Sequence, residues 1–292
     1  MLISNSKVRG QYMQQQIYHW GQTQQTTFVF FHGLGSTGLA FGELANYLST
    51  YHILSFDLPG HGYAPALTEE AAYLPSNVIV MLEKLLTKQL GNKEFYLIGH
   101  SFGADLALHY AAIFPKQIKG IILLDGGYLS SQDLDMTLET ELQNIADFCN
   151  DVRFPSWDAF LQSEKEELSR WSPQLEAASR AQVRELDGEI RLAISTFTAQ
   201  SLIKGLDAEP VSSILSSLYV PILLLSATTP ADLTHVRNKS IEVFQSKVKN
   251  VQVDPIPNAG HDIFRDVPEQ VAEKIRVWLG NNNGEEFVED AR

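Results

Sequence analysis

Residues 99–103 read Gly-His-Ser-Phe-Gly, and they join the apolar run FYLIG to the helix-like run ADLALHYA. If the first run is a strand and the second a helix, Ser101 tops a very tight turn. The flanking glycines are then needed because neighbouring backbones approach where a Cβ would clash. The chemistry this suggests is nucleophilic attack, for which a serine hydroxyl needs a partner base. Of eight histidines, His261 has the best setting, in PIPNAGHDIF, a loop after the last strand-like run and before the last helical one. His32, His61 and His100 adjoin turn glycines and read as structural; His19, His52, His109 and His235 have no supporting context. Attack on a carbonyl creates an oxyanion, which calls for backbone N–H donors. The loop in FFHGLGS and the start of the helix after Ser101 supply two candidates, the N–H groups of Leu34 and Phe102.

These residues must be positioned by the elements between them. Short apolar runs recur at 27–31, 52–56, 95–99, 120–125 and 221–225, with a weaker one at 251–256. They are too short for helices and too continuously apolar for a sheet with one wet face, which is how buried parallel strands read. Helix-length patterns lie between them at 38–49, 75–90, 102–114, 234–248 and 268–279. The alternation predicts an α/β class, a mostly parallel central sheet flanked by helices on both faces. The stretch KVRGQYMQQQIYHWG reads as an antiparallel hairpin at the sheet edge.

The alternation breaks after Leu129. Four helical patterns, roughly 132–149, 156–169, 174–187 and 190–205, fill the interval without a strand-like run, and Pro155 and Pro173 mark two helix starts. Both ends of this block return to the same sheet, so it reads as an all-helical cap rather than an independent domain. The expected division is a core of residues 1–128 and 218–280, a cap of 129–217 and a disordered tail of 281–292. Trp157, Trp171, Phe154 and Phe160 in the insertion read as core residues more than as pocket lining, with at least one of them a candidate to face a substrate.

Composition sets outer bounds. Hydrophobic residues make up 44% and charged residues 20%, as in ordinary globular proteins. A net charge of −13 speaks against a nucleic-acid partner, which would want a basic face. No run is apolar enough to span a membrane, and MLISNSKVRGQY lacks the core of an export signal, so the expectation is a cytoplasmic protein. The lone Cys149 has no internal disulfide partner and reads as a half-buried helix position. There is no phosphate loop, dinucleotide fingerprint or metal cluster, and no cofactor is expected. The expected partner is a small-molecule substrate.

The motifs HGLGS, DLPGHG, GHSFG and NAGHDIF occur in this order along the chain, and with them it resembles the α/β-hydrolase superfamily over residues 5–280. The resemblance implies a nucleophile at Ser101, a base at His261, an oxyanion hole at Leu34 and Phe102, and a helical cap over the pocket. Asp57 and His61 in DLPGHG are expected to stabilise their own loop. The acid departs from the family pattern. The family places it just after the strand 221–225, in a Gly-x-x-Asp turn, but here Ala227 and Pro230 occupy the glycine and aspartate positions. Two readings stay open: Asp125, at the end of GIILLD, is preferred for its rigid place, and Asp232, in a longer loop, is the alternative.

The leading expectation is a serine hydrolase that forms an acyl-enzyme on a small to medium, mostly apolar ester or lactone, in the manner of a carboxylesterase. A serine nucleophile speaks against the haloalkane-dehalogenase and epoxide-hydrolase branches, which use a carboxylate there. The same triad also serves carbon–carbon bond hydrolysis, lyase and cofactor-free oxygenase chemistry. A ligand sensor that keeps the triad and signals through its cap is the third reading.

Overall fold

The computed structural model describes residues 2–5 and 16–283. In chain order its strands are β1 Leu2–Asn5, β2 Gln16–Trp20, β3 Thr27–Phe31, β4 His52–Phe56, β5 Phe95–His100, β6 Ile118–Leu124, β7 Arg153–Phe154, β8 Val183–Leu186, β9 Glu189–Leu192, β10 Ile222–Ala227 and β11 Val251–Ile256. Its helices are α1 Gly42–Tyr47, α2 Pro75–Leu90, α3 Phe102–Ile113, α4 Leu138–Asp151, α5 Trp157–Glu167, α6 Pro173–Gln182, α7 Thr196–Ala208, α8 Thr234–Lys247, α9 Ile263–Asp266 and α10 Pro268–Asn283.

Eight strands form one sheet in the order β1-β2-β4-β3-β5-β6-β10-β11. The β1–β2 and β2–β4 pairs are antiparallel, and the other neighbours are parallel. Every residue of β3, β4, β5 and β10 is buried, as strands covered on both faces require. Alternate side chains feed two separate cores. Val29, Phe31, Leu97 and Leu123 pack on one face with Leu82 and Leu86 of α2, while Phe28, Phe30, Ile98 and Ile122 pack on the other with Ile275 and Trp278 of α10. Because β3, β5, β6, β10 and β11 run the same way, their carboxyl ends meet along one edge of the sheet, where open α/β sheets place their sites. The residues that follow those ends include Leu34, Ser101, Asp125 and His261.

The six apolar runs form strands within a few residues of their expected bounds. The block between β6 and β10 is not all-helical: the helix expected over 174–187 ends at Gln182 and the one expected over 190–205 begins at Thr196, and between them β8 and β9 pair with each other and with β7 in a three-stranded sheet. Asp187 and Gly188 both have positive φ, 53° and 79°. An Asp-Gly turn of that kind matches the twist of a hairpin and stops a helix. Val183 and Ile190 then join Phe160 and Leu161 in a small core that Phe154, Trp157 and Trp171 flank.

The amino-terminal hairpin is built differently from the expectation. The arm that pairs with β2 is β1, and residues 6–15 lie outside the described residues. At 281–283, where the disordered tail is expected to begin, α10 continues to Asn283; the remainder of that expectation, 284–292, lies outside the described residues.

Candidate active site

Ser101 links β5 to α3 with φ 51° and ψ −125°, a left-handed backbone that costs a residue with a Cβ. The surrounding glycines make this turn feasible. A methyl group on Gly99 would meet the backbone of Gly103 and Ala104, and one on Gly103 would meet the carbonyl of Phe31. One on Gly126 would sit 2.7 Å from both the N and the O of Ser101. Gly33 approaches from the other side, where a Cβ would lie 3.2 Å from that of Ser101. So the β3 loop, the β5–α3 turn and the β6 loop close around one serine.

Asp125 follows β6 at φ 43°, with its N–H donating to the Leu225 carbonyl at 2.8 Å. Its side chain is only 4% exposed. Oδ1 accepts from the Ala227 N–H at 2.9 Å and from the Tyr128 hydroxyl at 2.8 Å; Oδ2 accepts from His261 Nδ1 at 2.8 Å. Burial alone would raise the Asp125 pKa, but these hydrogen bonds and the nearby imidazole hold it below the ordinary carboxylate value. The effect on His261 is reciprocal. Partial burial disfavours its charged form, yet the hydrogen bond and charge of Asp125, with help from Asp262, hold its pKa above the ordinary value. Since Nδ1 donates to a carboxylate, the neutral ring carries its lone pair on Nε2.

The loop carrying His261 is tied to its neighbours. The N–H groups of Thr228 and Thr229 donate to Ala259 O at 3.1 and 3.0 Å, and the Gly260 N–H donates to Asp266 Oδ2 at 2.7 Å. His100, the residue before Ser101, donates from Nε2 to the His261 carbonyl at 3.1 Å, with the two rings 4.8 Å apart. Burial lowers the His100 pKa to about 4, which keeps that ring neutral.

The alternative acid lies elsewhere. Asp232 is exposed on a short turn, Ala231–Leu233, and the structure brings Asp125, not Asp232, to His261. The residue expected to mark the acid turn acts in another way: Ala227 contributes its N–H to Asp125.

Leu34, Ser101 and Phe102 share the wall of a cavity of about 580 Å³. Among the described residues neither the Leu34 nor the Phe102 N–H has a protein acceptor. His261 lies outside that wall, with its side chain 56% exposed. Much of the remaining wall comes from the insertion, through Leu129, Met136, Ile203, Leu206 and Leu215, and α8 adds Val243 and Phe244. Phe154, Trp157, Phe160 and Trp171 do not line it.

The other singled-out residues hold structure. Asp57 accepts from the Gly38 and Tyr63 N–H groups, both at 2.9 Å, and from the Tyr18 hydroxyl at 3.1 Å. His32 donates to Gly33 O at 2.8 Å and accepts from the Leu58 N–H at 2.9 Å. His61 pairs with the Pro59 carbonyl at 3.1 Å. Cys149 is half-buried against the larger core. Among the described residues there is no cluster of three or more metal-binding side chains, and no helix is long and apolar enough to cross a membrane. Two residues at the site went unremarked in the sequence. Tyr128 holds Asp125 and lines the cavity; Asp105, a lone acid one helical turn after Ser101 in an otherwise apolar helix, lines it too. The i, i+4 spacing of Asp105 from Ser101 is the signal that could have found it.

Comparison with known proteins bears on the fold and family of the chain. Over 90% of the chain, and 93% of its own length, an (E)-2-((N-methylformamido)methylene)succinate hydrolase of Acinetobacter baylyi is 23% identical. A protein phosphatase methylesterase 1 of Candida albicans is 35% identical over 98 residues, 32% of this chain and 27% of that protein's own length. Among solved structures, the thioesterase domain from the curacin biosynthetic pathway superposes with a TM-score of 0.72 at 20% identity, covering 95% of this chain and 100% of that one. An esterase of M. tuberculosis gives 0.72 at 19% identity over 96% and 92%. At such identities these structures show the shared fold. A family model described as alpha/beta hydrolase fold matches residues 26–267, and the chain belongs to that family.

Proposed function

We propose that the protein is a serine hydrolase that cleaves a small to medium, mostly apolar ester or lactone through an acyl-enzyme. The observation that carries this reading is the 2.8 Å contact between His261 Nδ1 and Asp125 Oδ2 beside the strained Ser101 turn. It leaves Nε2 as the proton acceptor, which is what a serine nucleophile lacks. In this reading Ser101 Oγ attacks the ester carbonyl as Nε2 takes its proton. The Leu34 and Phe102 N–H groups hold the resulting oxyanion. The imidazolium, stabilised by Asp125, gives its proton to the departing alcohol. Water activated by the same nitrogen then attacks the acyl-enzyme, and Ser101 leaves with the proton restored.

Residues 129–217 act as the cap in this reading, since they provide much of the cavity wall. The wall's Leu, Ile, Met and Phe side chains suit an apolar skeleton. Known members of the comparison set named as esterases and hydrolases fit the same chemistry. The test is turnover of a panel of p-nitrophenyl and alkyl esters by the wild type and by Ser101→Ala. The expected result is hydrolysis that falls by at least ~10³-fold in the variant. Hydrolysis at near wild-type rate in Ser101→Ala would remove the serine mechanism.

A further inference from the structure

Asp105 is a half-buried carboxyl that no side chain of the described residues holds. It sits one turn after Ser101 on α3, so the two side chains share a helix face and both line the same cavity. Among the described residues no side chain donates a hydrogen bond or ion pair to it, and its own N–H donates to the Ser101 carbonyl at 3.4 Å. The charge that acts on it is unfavourable: Glu141 of α4 lines the cavity as well and raises its pKa further. Burial is the main cause, and together they push the Asp105 carboxyl up to about 7. The cavity's other ionisable groups are Asp133, Asp207 and Lys247, so carboxylates outnumber cations along the wall. Phe102, Tyr128 and Phe244 add aromatic faces.

Asp105 is half-buried and its carboxyl opens to the cavity, so whatever occupies the cavity must supply the donor that the protein does not. A first-turn acid does favour a helix dipole, but that benefit is equally available on the solvent side of the helix. A ligand bearing an N–H cation would give Asp105 the missing donor and neutralise the acidic wall, and the aromatic faces would receive its alkyl groups. An anionic ligand would meet four carboxyl groups there against the single cation Lys247.

Resting on the serine-hydrolase reading above, we infer that Asp105 is a specificity-determining residue and that the preferred substrates are esters carrying a protonated amine on an otherwise apolar skeleton. Ester cleavage itself is unchanged: the acyl C–O bond breaks, water supplies the new hydroxyl, and the ammonium group takes no part beyond binding.

The test compares charged esters, each read against a neutral ester of the same shape: 3-methylbutyl butyrate for the alcohol-side cation, 3-methylbutyl 5-methylhexanoate for the acyl-side cation and 3-methylbutyl 4-methylpentanoate for the anion. 2-(Dimethylamino)ethyl butyrate places an N–H cation on the alcohol side, and 3-methylbutyl 4-(dimethylamino)butyrate places it on the acyl side. 3-Methylbutyl hydrogen succinate carries an anion. The wild type should favour at least one ammonium ester over its neutral ester by about tenfold or more in kcat/KM, the range of a charge-assisted hydrogen bond. Asp105→Asn should bring that ratio to within about threefold; a uniform loss from altered folding cancels in the ratio. A wild-type ratio near one, a preference for the succinate ester, or a ratio untouched by Asp105→Asn would overturn the assignment. If no ester turns over, the serine-hydrolase reading fails by itself. Calorimetric binding of the ammonium esters to Ser101→Ala and to Ser101→Ala/Asp105→Asn then decides the role of Asp105: binding lost with the carboxylate supports it, and equal or absent binding in both contradicts it.

Discussion

Asp125 and His261 stand 136 residues apart in the chain, yet their side chains meet at 2.8 Å because β6 and β11 both end at the same sheet edge as β10, which lies between them. Asp125 is fixed from three directions, by the Ala227 N–H, the Tyr128 hydroxyl and the imidazole. That arrangement makes the two candidate acids unequal. Asp125→Asn should reduce kcat by ~10⁴-fold, the typical cost when the base loses its orienting carboxylate. Asp232→Asn should lose less than about tenfold, because its exposed side chain does not reach His261. Steady-state kinetics of both variants on one ester checks the asymmetry, and equal losses would count against it.

The pH profile should carry the signature of the same pair. In the proposed mechanism His261 must be neutral to accept a proton, and its pKa is held above the ordinary imidazole value of 6.5. The acid limb of kcat/KM should therefore fall above that value, with activity lost as pH drops through it. In Asp125→Asn the hydrogen bond and charge that raise the pKa are gone, while partial burial and Arg237 still lower it. The limb of the residual activity should move to lower pH. A limb that stays in place would separate Asp125 from the titration.

Tyr128→Phe tests the support behind the acid. It removes one of the two donors to Asp125 Oδ1 and keeps the ring in place. A hydrogen bond to a buried charge contributes about 1.5–3 kcal/mol, so kcat should fall by about 10- to 100-fold. KM for a neutral ester should change far less than kcat. A large change in KM with kcat intact would assign Tyr128 to substrate contact instead.

Gly103→Ala tests the packing that makes the serine turn. Its methyl group would drive into the Phe31 carbonyl and stand 2.7 Å from that of His32. Because β3 is buried along its whole length, little can yield. The expected cost is about 3 kcal/mol, at the upper end of ordinary overpacking, read from urea denaturation. Wild-type stability in this variant would show that the helix and β3 are less closely packed than described.

The sequence revealed most of this sheet because its central strands are buried on both faces, which leaves continuous apolar runs such as TFVFF and FYLIG. The turn at Ser101 was legible for the same reason: glycines at 99 and 103 are forced by backbone approach, and such constraints are written in residue type. The insertion was less legible. Val183–Leu192 mixes apolar and charged residues at spacings compatible with either period, and only the Asp187-Gly188 pair disclosed its hairpin. The acid could not be chosen from residue types, because both Asp125 and Asp232 follow strands of the same parallel sheet. What separates them is where each side chain finds donors, and the Ala227 N–H is a backbone group that no residue letter reports. Tyr128 escaped notice because its role depends on which way it faces, a property of the folded cavity, whereas Asp105 left one sequence signal, its i, i+4 spacing from Ser101.

The most direct measurement of the central claim is covalent labelling with a fluorophosphonate, followed by intact-protein and peptide mass spectrometry. The reagent mimics the tetrahedral intermediate and is captured by a serine that a base has activated. The account predicts one adduct per chain, located on Ser101, and no adduct in Ser101→Ala. Labelling that persists undiminished in Ser101→Ala, or that maps to another residue in the wild type, would contradict it.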